Sequence, residues 1–188
     1  MNAHMIIFYI ALLIWAVPEF IRLRTKRNND AIKHDRGSMY VLVISWVLGL
    51  YLAGLLMHFQ AFAFKWYGSL WFYIGIIIML AGVIFRAYAI KVLGRYFTTV
   101  VAISSNQEVI QTGPYRYIRH PAYTGTLLVL LGSGIAMTNW LSLIVVVVFG
   151  LVGHFIRVRV EEKLLCKSIG QPYVEYMRRT KRFIPFIL

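Results

Sequence analysis

Five long apolar segments constrain the fold of this chain more than any other feature. They cover residues 4–23, 39–59, 70–90, 122–137 and 140–156. The first three have the roughly 20 residues that a helix needs to cross a hydrocarbon core about 30 Å thick, and the last two are shorter. Only Thr138 and Asn139 separate the last two segments, so we expect a tight helical hairpin there. The pattern predicts an all-α integral membrane protein, a single domain with five transmembrane helices.

The composition favours lipid over water as the surroundings of these segments. Of the 188 residues, 60% are hydrophobic and 14% are charged, whereas about a quarter of the residues of a soluble domain are charged. The net charge of +13 would suit nucleic acid in a soluble protein. Here the charges lie between the apolar segments, so we expect them to face membrane lipids and predict no nucleic-acid partner.

The positions of the basic residues predict how the chain is oriented. In a five-span arrangement, all of the 20 Lys and Arg residues except Lys65 fall on one side. Because cytoplasmic loops are enriched in Lys and Arg, we expect the N-terminus outside and the C-terminus in the cytoplasm. The cytoplasmic parts then include a loop, residues 91–121, and a C-terminal helix and tail, residues 157–188. Gly132 and Gly134 in the fourth span predict close helix packing.

Two polar clusters are expected to meet at the cytoplasmic end of the hairpin. Arg119 and His120 precede Pro121, which suits the first turn of a helix, and the N–H groups of that turn would favour an anion such as a carboxylate. Arg157 and Glu161 are four residues apart and share a helix face. These residues alone leave two interpretations open, a ligand site or an interfacial anchor with a helix salt bridge. The mixture of basic and aromatic residues at 170–185 suits a helix on the membrane surface or a cover for the site.

These residues resemble the isoprenylcysteine carboxyl methyltransferase family of integral membrane enzymes. The matching pieces are Gly113-x-Tyr115, Arg119-His-Pro-x-Tyr123-x-Gly125, Arg157-x-x-x-Glu161-Glu162, Tyr173-x-Glu175-Tyr176 and Phe183-Ile-Pro185. The resemblance covers residues 93–188, while the first two spans match only as hydrophobic segments. Phospholipid methyltransferases and sterol reductases share the Arg-His-Pro-x-Tyr stretch, but its combination with Arg-x-x-x-Glu-Glu is more specific.

The resemblance implies methyl transfer from S-adenosylmethionine to the carboxylate of a lipophilic acceptor, isoprenylcysteine-like or isoprenoid. It implies that Arg157 is the catalytic residue and binds the acceptor carboxylate. The cofactor-binding residues that it implies are Gln107, Glu108, Val109, Ile110, Tyr115, His120, Pro121, Ala122, Tyr123 and Glu161. Some family members carry a Gln near position 102, where this chain has Ala102. The five histidines are scattered along the chain, so no metal site is predicted.

Three alternatives remain open from the sequence. A phospholipid N-methyltransferase would act on an amine, need a general base, and have His120 as the first candidate. A sterol-type reductase would bind NADPH, although the family resemblance leads us to expect more spans in such enzymes. A non-enzymatic membrane lipid-binding protein would use the Arg and Tyr clusters only as anchors. The sequence gives no oligomeric state.

Overall fold

The computed structural model describes residues 3–25, 32–33, 37–65, 68–97, 102–103 and 109–185. The α-helices in these ranges are α1 Ala3–Thr25, α2 Ser38–Leu56, α3 Gly68–Leu93, α4 Pro121–Ala136, α5 Trp140–Ile169 and α6 Gln171–Arg179. Short 3-10 helices lie at Gln60–Phe62, Gly94–Tyr96 and Gly113–Arg116. Two short strands, β1 Ile32–Lys33 and β2 Ala102–Ile103, pair antiparallel. The architecture of the described residues is therefore helical, as predicted.

Four helices of the described ranges, α1, α2, α3 and α5, are long and apolar enough to cross a membrane. Helix α4 is apolar but has 16 residues, or about 24 Å at 1.5 Å per residue. Its ends are set locally, because Pro121 occupies the first turn and Thr138, with φ +51°, turns the chain toward α5. The fold is that of a multi-pass helical membrane protein with four clear candidate spans.

Several helix ends differ from the predicted segments. Helix α5 continues to Ile169, although its apolar segment ends at residue 156. The added turns bury Arg157, Val158 and Glu162 on one face, so the helix continues where its neighbours are polar protein groups. Helix α2 ends at Leu56 rather than at residue 59. The C-terminal helix α6 is confined to nine residues and follows Gly170, whose φ is +74°.

Helices α3 and α4 approach each other through facing glycines. A Cβ at Gly82 would lie 2.7 Å from the carbonyl oxygen of Gly125, and a Cβ at Gly132 would lie 2.6 Å from that of Gly75. Both pairs of glycines recur after seven residues, so each helix presents one stripe on which the two backbones can touch. Gly134 likewise lies close to α5. The close packing predicted at Gly132 and Gly134 is confirmed.

A short turn joins α4 to α5, also as predicted. The Asn139 side chain caps α5 by accepting hydrogen bonds from the N–H groups of Leu141 at 2.9 Å and Ser142 at 3.2 Å. Its amide group donates to the carbonyl of Phe59 at 3.1 Å, which ties the α2–α3 connection to this turn. Helix α5 packs most extensively on α2, and α4 on α3. The starts of α2 and α4 and the C-terminal part of α5 therefore meet at the opposite end of the bundle.

Candidate functional site

The start of α4 forms one wall of the candidate site. Tyr115 is buried in the 3-10 helix before it, His120 is buried just ahead of the first turn, and Pro121 begins the helix. The N–H groups of Tyr123 and Thr124 each donate to the carbonyl of His120 at 3.0 Å. Two of the backbone donors that were expected to face an anion are therefore already paired.

Tyr123 connects α4 to the charged residues of α5. Its hydroxyl donates to Oε2 of Glu161 at 2.8 Å and accepts from Nε of Arg157 at 3.3 Å. Arg157 is 1% exposed, and its Nη1 donates to Oγ of Ser38 at 2.7 Å. A buried guanidinium is costly unless polar groups surround it, and these hydroxyls supply that environment. The structure brings Tyr123, Arg157 and Glu161 together as the sequence predicted, and it adds Ser38 from α2.

His120 contacts the second glutamate of the Arg-x-x-x-Glu-Glu motif. Its Nε2 lies 3.4 Å from Oε1 of Glu162. Glu162 is 4% exposed and forms ion pairs with Arg119 at 2.9 Å and with Arg182 at 2.7 Å. Glu162 belongs to the motif in the sequence, but the sequence predicted no role for it. Glu162 follows Val158 by four residues and therefore shares its helix face. That spacing could have indicated that Glu162 is buried.

The C-terminal segment, residues 171–185, is attached to the start of α4. The N–H of Arg119 donates to the carbonyl of Lys181 at 2.7 Å, and the N–H of His120 donates to that of Arg182 at 3.0 Å. The ion pair between Arg182 and Glu162 lies beside these bonds. The sequence left open whether residues 170–185 lie on the membrane surface or cover the site. These bonds favour a cover for the site.

Two buried tyrosines stabilise the loop that leads to His120. The hydroxyl of Tyr176 on α6 donates to the carbonyl of Tyr115 at 2.6 Å. Burial raises the pKa of Tyr176 to about 12. Burial and, secondarily, the charge of Glu161 raise the pKa of Tyr115 well above its ordinary value. Both phenols are therefore protonated at neutral pH, and Tyr176 keeps the hydrogen that it donates.

Arg86 of α3 supports the same helix start from the other side. Its Nη1 donates to the carbonyl of Ala122 at 2.7 Å, while Nε and Nη2 bind the two carboxylate oxygens of Glu19 at 2.6 and 2.7 Å. Arg86 is buried. Charged residues inside apolar segments are usually paired or functional, and that rule could have identified both residues. In the sequence, Arg86 contributed only to the predicted orientation of the chain.

The remaining predicted site residues precede the 3-10 helix Gly113–Arg116 in the sequence. Gln107 and Glu108 fall outside the described residues. Val109 and Ile110 are half-buried, and Ile110 packs against the buried cluster around Tyr115. Within the described ranges, no group of three His, Cys, Asp or Glu side chains is placed to hold a metal ion.

Comparisons with known proteins identify the family of this chain. The profile of the isoprenylcysteine carboxyl methyltransferase (ICMT) family matches residues 74–167. A probable protein-S-isoprenylcysteine O-methyltransferase of Oryza sativa subsp. indica is 31% identical over 189 residues, which cover 96% of this chain and 95% of that protein. The protein-S-isoprenylcysteine O-methyltransferase of Saccharomyces cerevisiae is 33% identical over 117 residues, or 61% of this chain and 48% of that protein.

A solved structure supports the fold independently. It is described as the eukaryotic intramembrane Ras methyltransferase ICMT, isoprenylcysteine carboxyl methyltransferase. It matches with a TM-score of 0.65 and 24% identity, covering 99% of this chain and 68% of the other. The relatives that are similar along nearly the whole chain are named as probable protein-S-isoprenylcysteine O-methyltransferases. This chain is a membrane methyltransferase and belongs to the isoprenylcysteine carboxyl methyltransferase family.

Proposed function

We propose that this protein transfers a methyl group from S-adenosylmethionine to the carboxylate of a lipophilic, isoprenylcysteine-like acceptor. The observation that carries the proposal is the buried Arg157 guanidinium, which hydroxyls of α2 and α4 hold at the end of an apolar bundle. The acceptor in the relatives' names, isoprenylcysteine, combines a carboxylate with a long apolar chain. A buried cation next to lipid-facing helices suits both parts of such a molecule.

Arg157 would bind and orient the acceptor carboxylate. A guanidinium can pair with a carboxylate through two parallel hydrogen bonds, which fix orientation as well as position. Tyr123 and Ser38 hold the guanidinium from two helices. Because an ionised carboxylate is already a nucleophile, the residues need to position it rather than remove a proton, and positioning alone can supply a large part of a rate enhancement.

The residues beside Arg157 fit a cationic methyl donor. When bound, S-adenosylmethionine supplies a methyl group on a positively charged sulfonium. Glu161 offers a half-buried negative charge that the Tyr123 hydroxyl holds in place, and the faces of Tyr115 and Tyr123 add favourable contacts to a cation. We assign cofactor binding to Val109, Ile110, Tyr115, His120, Pro121, Ala122, Tyr123 and Glu161. Gln107 and Glu108 keep this role as a prediction from the family resemblance.

An amine acceptor fits this site less well than a carboxylate. The ammonium form of a phospholipid headgroup would be repelled by Arg157, and its methylation would need a base. Phospholipid N-methylation is therefore the disfavoured alternative.

We further propose that α4 is a fifth span, with the N-terminus outside and the C-terminus and α6 in the cytoplasm. The distribution of Lys and Arg supports this orientation. The shortness of α4 does not oppose it, because protein covers both of its ends. Asn139 and the carbonyl of Phe59 lie at one end, and the C-terminal segment lies at the other.

The test separates cofactor binding from methyl transfer. Arg157→Ala in detergent should lower kcat/KM for N-acetyl-S-farnesylcysteine about 100-fold or more, because it removes a buried charge partner. Calorimetry should show a much smaller change in the Kd for S-adenosylmethionine, because Tyr123 keeps its shorter hydrogen bond to Glu161 when Arg157 is removed. Arg159→Ala, which removes an exposed arginine of the same helix, is the matched control and should retain activity.

Two results would contradict the proposal. Equal loss of cofactor affinity and turnover in Arg157→Ala would remove the acceptor-binding role. Absence of S-adenosylmethionine binding by the folded unmodified protein would overturn the proposed function itself.

A further inference from the structure

His154 of α5 is fully buried and has one nitrogen without a hydrogen-bond partner. Its Nδ1 lies 2.7 Å from the carbonyl oxygen of Gly150, and because a carbonyl only accepts, Nδ1 carries the hydrogen. The other nitrogen, Nε2, is buried and unpartnered. No carboxylate contacts this ring among the described residues, so the neutral form is favoured and Nε2 is a bare acceptor. Buried polar atoms are nearly always paired, so this one requires an explanation.

His154 packs against a residue of the proposed acceptor site. His154 precedes Arg157 by three residues, which places the two side chains on one face of α5. The His154 ring packs edge-on against Tyr123, with 5.4 Å between ring centroids. The Tyr123 hydroxyl in turn contacts Arg157 and Glu161. The ring also packs against Trp46 of α2 and Phe183 of the C-terminal segment, with centroid distances of 5.5 and 6.5 Å.

We propose that Nε2 of His154 accepts a hydrogen bond from an N–H next to the acceptor carboxylate. The protein would then select an N-acylated S-prenyl amino acid over a simple isoprenoid acid. This inference rests on the proposed function, in which Arg157 binds the carboxylate that both classes share. An isoprenoid acid is ionised at neutral pH and has no hydrogen to donate, so it leaves Nε2 unpaired. Sites built to hydrogen-bond a substrate N–H discriminate strongly against analogues that lack it.

Two acceptors that differ at one atom test the proposal. One is N-acetyl-S-farnesylcysteine, and the other is its ester analogue, in which oxygen replaces the amide N–H. With the unmodified protein, kcat/KM for the amide should exceed that for the ester about tenfold or more. His154→Phe keeps a flat ring but removes the lone pair, so it should bring the two values within about twofold of each other. The comparison is a double-mutant cycle between one atom of the acceptor and one of the protein.

Two further variants separate the lone pair from the packing of the ring. His154→Gln restores an acceptor oxygen and should recover part of the preference for the amide. Trp46 packs against His154 with 5.5 Å between ring centroids. Trp46→Phe alters this ring contact while leaving Nε2 in place, and it should retain the preference.

The outcomes are decisive in either direction. Equal kcat/KM for the two acceptors with the unmodified protein overturns the proposal, and so does a preference that persists in a folded His154→Phe. If His154→Phe fails to bind S-adenosylmethionine, the proposal is tested by the ratio of kcat/KM for the amide to kcat/KM for the ester. This ratio is then compared between the unmodified protein and His154→Gln. Methylation of neither acceptor by the unmodified protein would instead count against the proposed function.

Discussion

Ser38 is the residue whose contribution to the site is most directly testable. Its hydroxyl accepts a hydrogen bond from Nη1 of Arg157 at 2.7 Å. Ser38→Ala should lower kcat/KM for the acceptor roughly tenfold, mainly through a higher KM, because a hydrogen bond to a charged group is lost and the guanidinium is less well oriented. Initial-rate kinetics measure this change. Ser38→Thr keeps the hydroxyl and should restore most of the activity.

A second serine of the same helix provides the control for this prediction. The hydroxyl of Ser45 bonds to the carbonyl of Val41 within α2. Ser45→Ala should therefore leave the KM for the acceptor and the Kd for S-adenosylmethionine unchanged. An equal defect in both serine variants would mean that α2 has loosened, and Ser38 would lose its positioning role.

The sequence located part of the site because short motifs specified it. Tyr123, Arg157 and Glu161 belong to two local patterns, and the antiparallel hairpin brings those patterns together. Ser38 lies 119 residues from Arg157 along the chain. In the sequence, a serine at the start of an apolar segment indicates only where a helix begins. His154 has an apolar environment in sequence as well as in space. Its unpaired nitrogen becomes visible only when the neighbouring side chains are placed.

At the scale of elements, a buried carboxylate, Glu162, adds ion pairs to the backbone bonds that hold the C-terminal segment. Glu162→Gln removes the charge that pairs with Arg119 and Arg182. The loss should cost about 2 kcal/mol, because hydrogen bonds to charged groups are weakened, and should lower Tm by roughly 4–8 °C. Limited proteolysis should cut residues 171–185 faster, since the ion pair to Arg182 anchors that segment. Thermal melting in detergent measures the stability change.

An exposed glutamate of α6 gives the matched comparison. Glu175 is exposed, so Glu175→Gln should change Tm by less than about 1 °C, as most surface substitutions do. Unchanged Tm and unchanged cleavage in Glu162→Gln would show that the backbone bonds to Lys181 and Arg182 hold the segment without the carboxylate.

Hydropathy predicted the helices well where lipid is the neighbour and poorly where protein is the neighbour. The predicted and observed ends of α4 agree closely, because Pro121 and the Thr138–Asn139 turn are local signals. The sequence predicted a separate C-terminal helix from residue 157, whereas α5 continues to Ile169, because its polar last turns bury Arg157, Val158 and Glu162 against protein. Hydropathy identifies the apolar part of a helix but not its polar continuation.

At the scale of the whole molecule, one feature links topology to chemistry. The starts of α2 and α4 meet the charged part of α5 at one end of the bundle. All Lys and Arg residues except Lys65 lie in segments assigned to that same end or its flanks. The candidate site and the positive-inside signal therefore imply the same face of the membrane. That agreement depends on α4 crossing with the others, because a bundle of four spans would place the two termini on the same side.

The sidedness of the two termini tests this arrangement. We expect an epitope tag at the N-terminus to be digested by protease added outside sealed, right-side-out vesicles. A tag at the C-terminus should be digested only after the membrane is permeabilised. The physical reason is that basic segments are retained on the cytoplasmic side during insertion, while the short α4 can cross because α3, α5 and the C-terminal segment cover it. A tag in the loop near Lys65 should behave like the N-terminal tag. Digestion of both terminal tags from the same side would mean that α4 does not span, and the cytoplasmic position of Arg157 would then need a separate measurement.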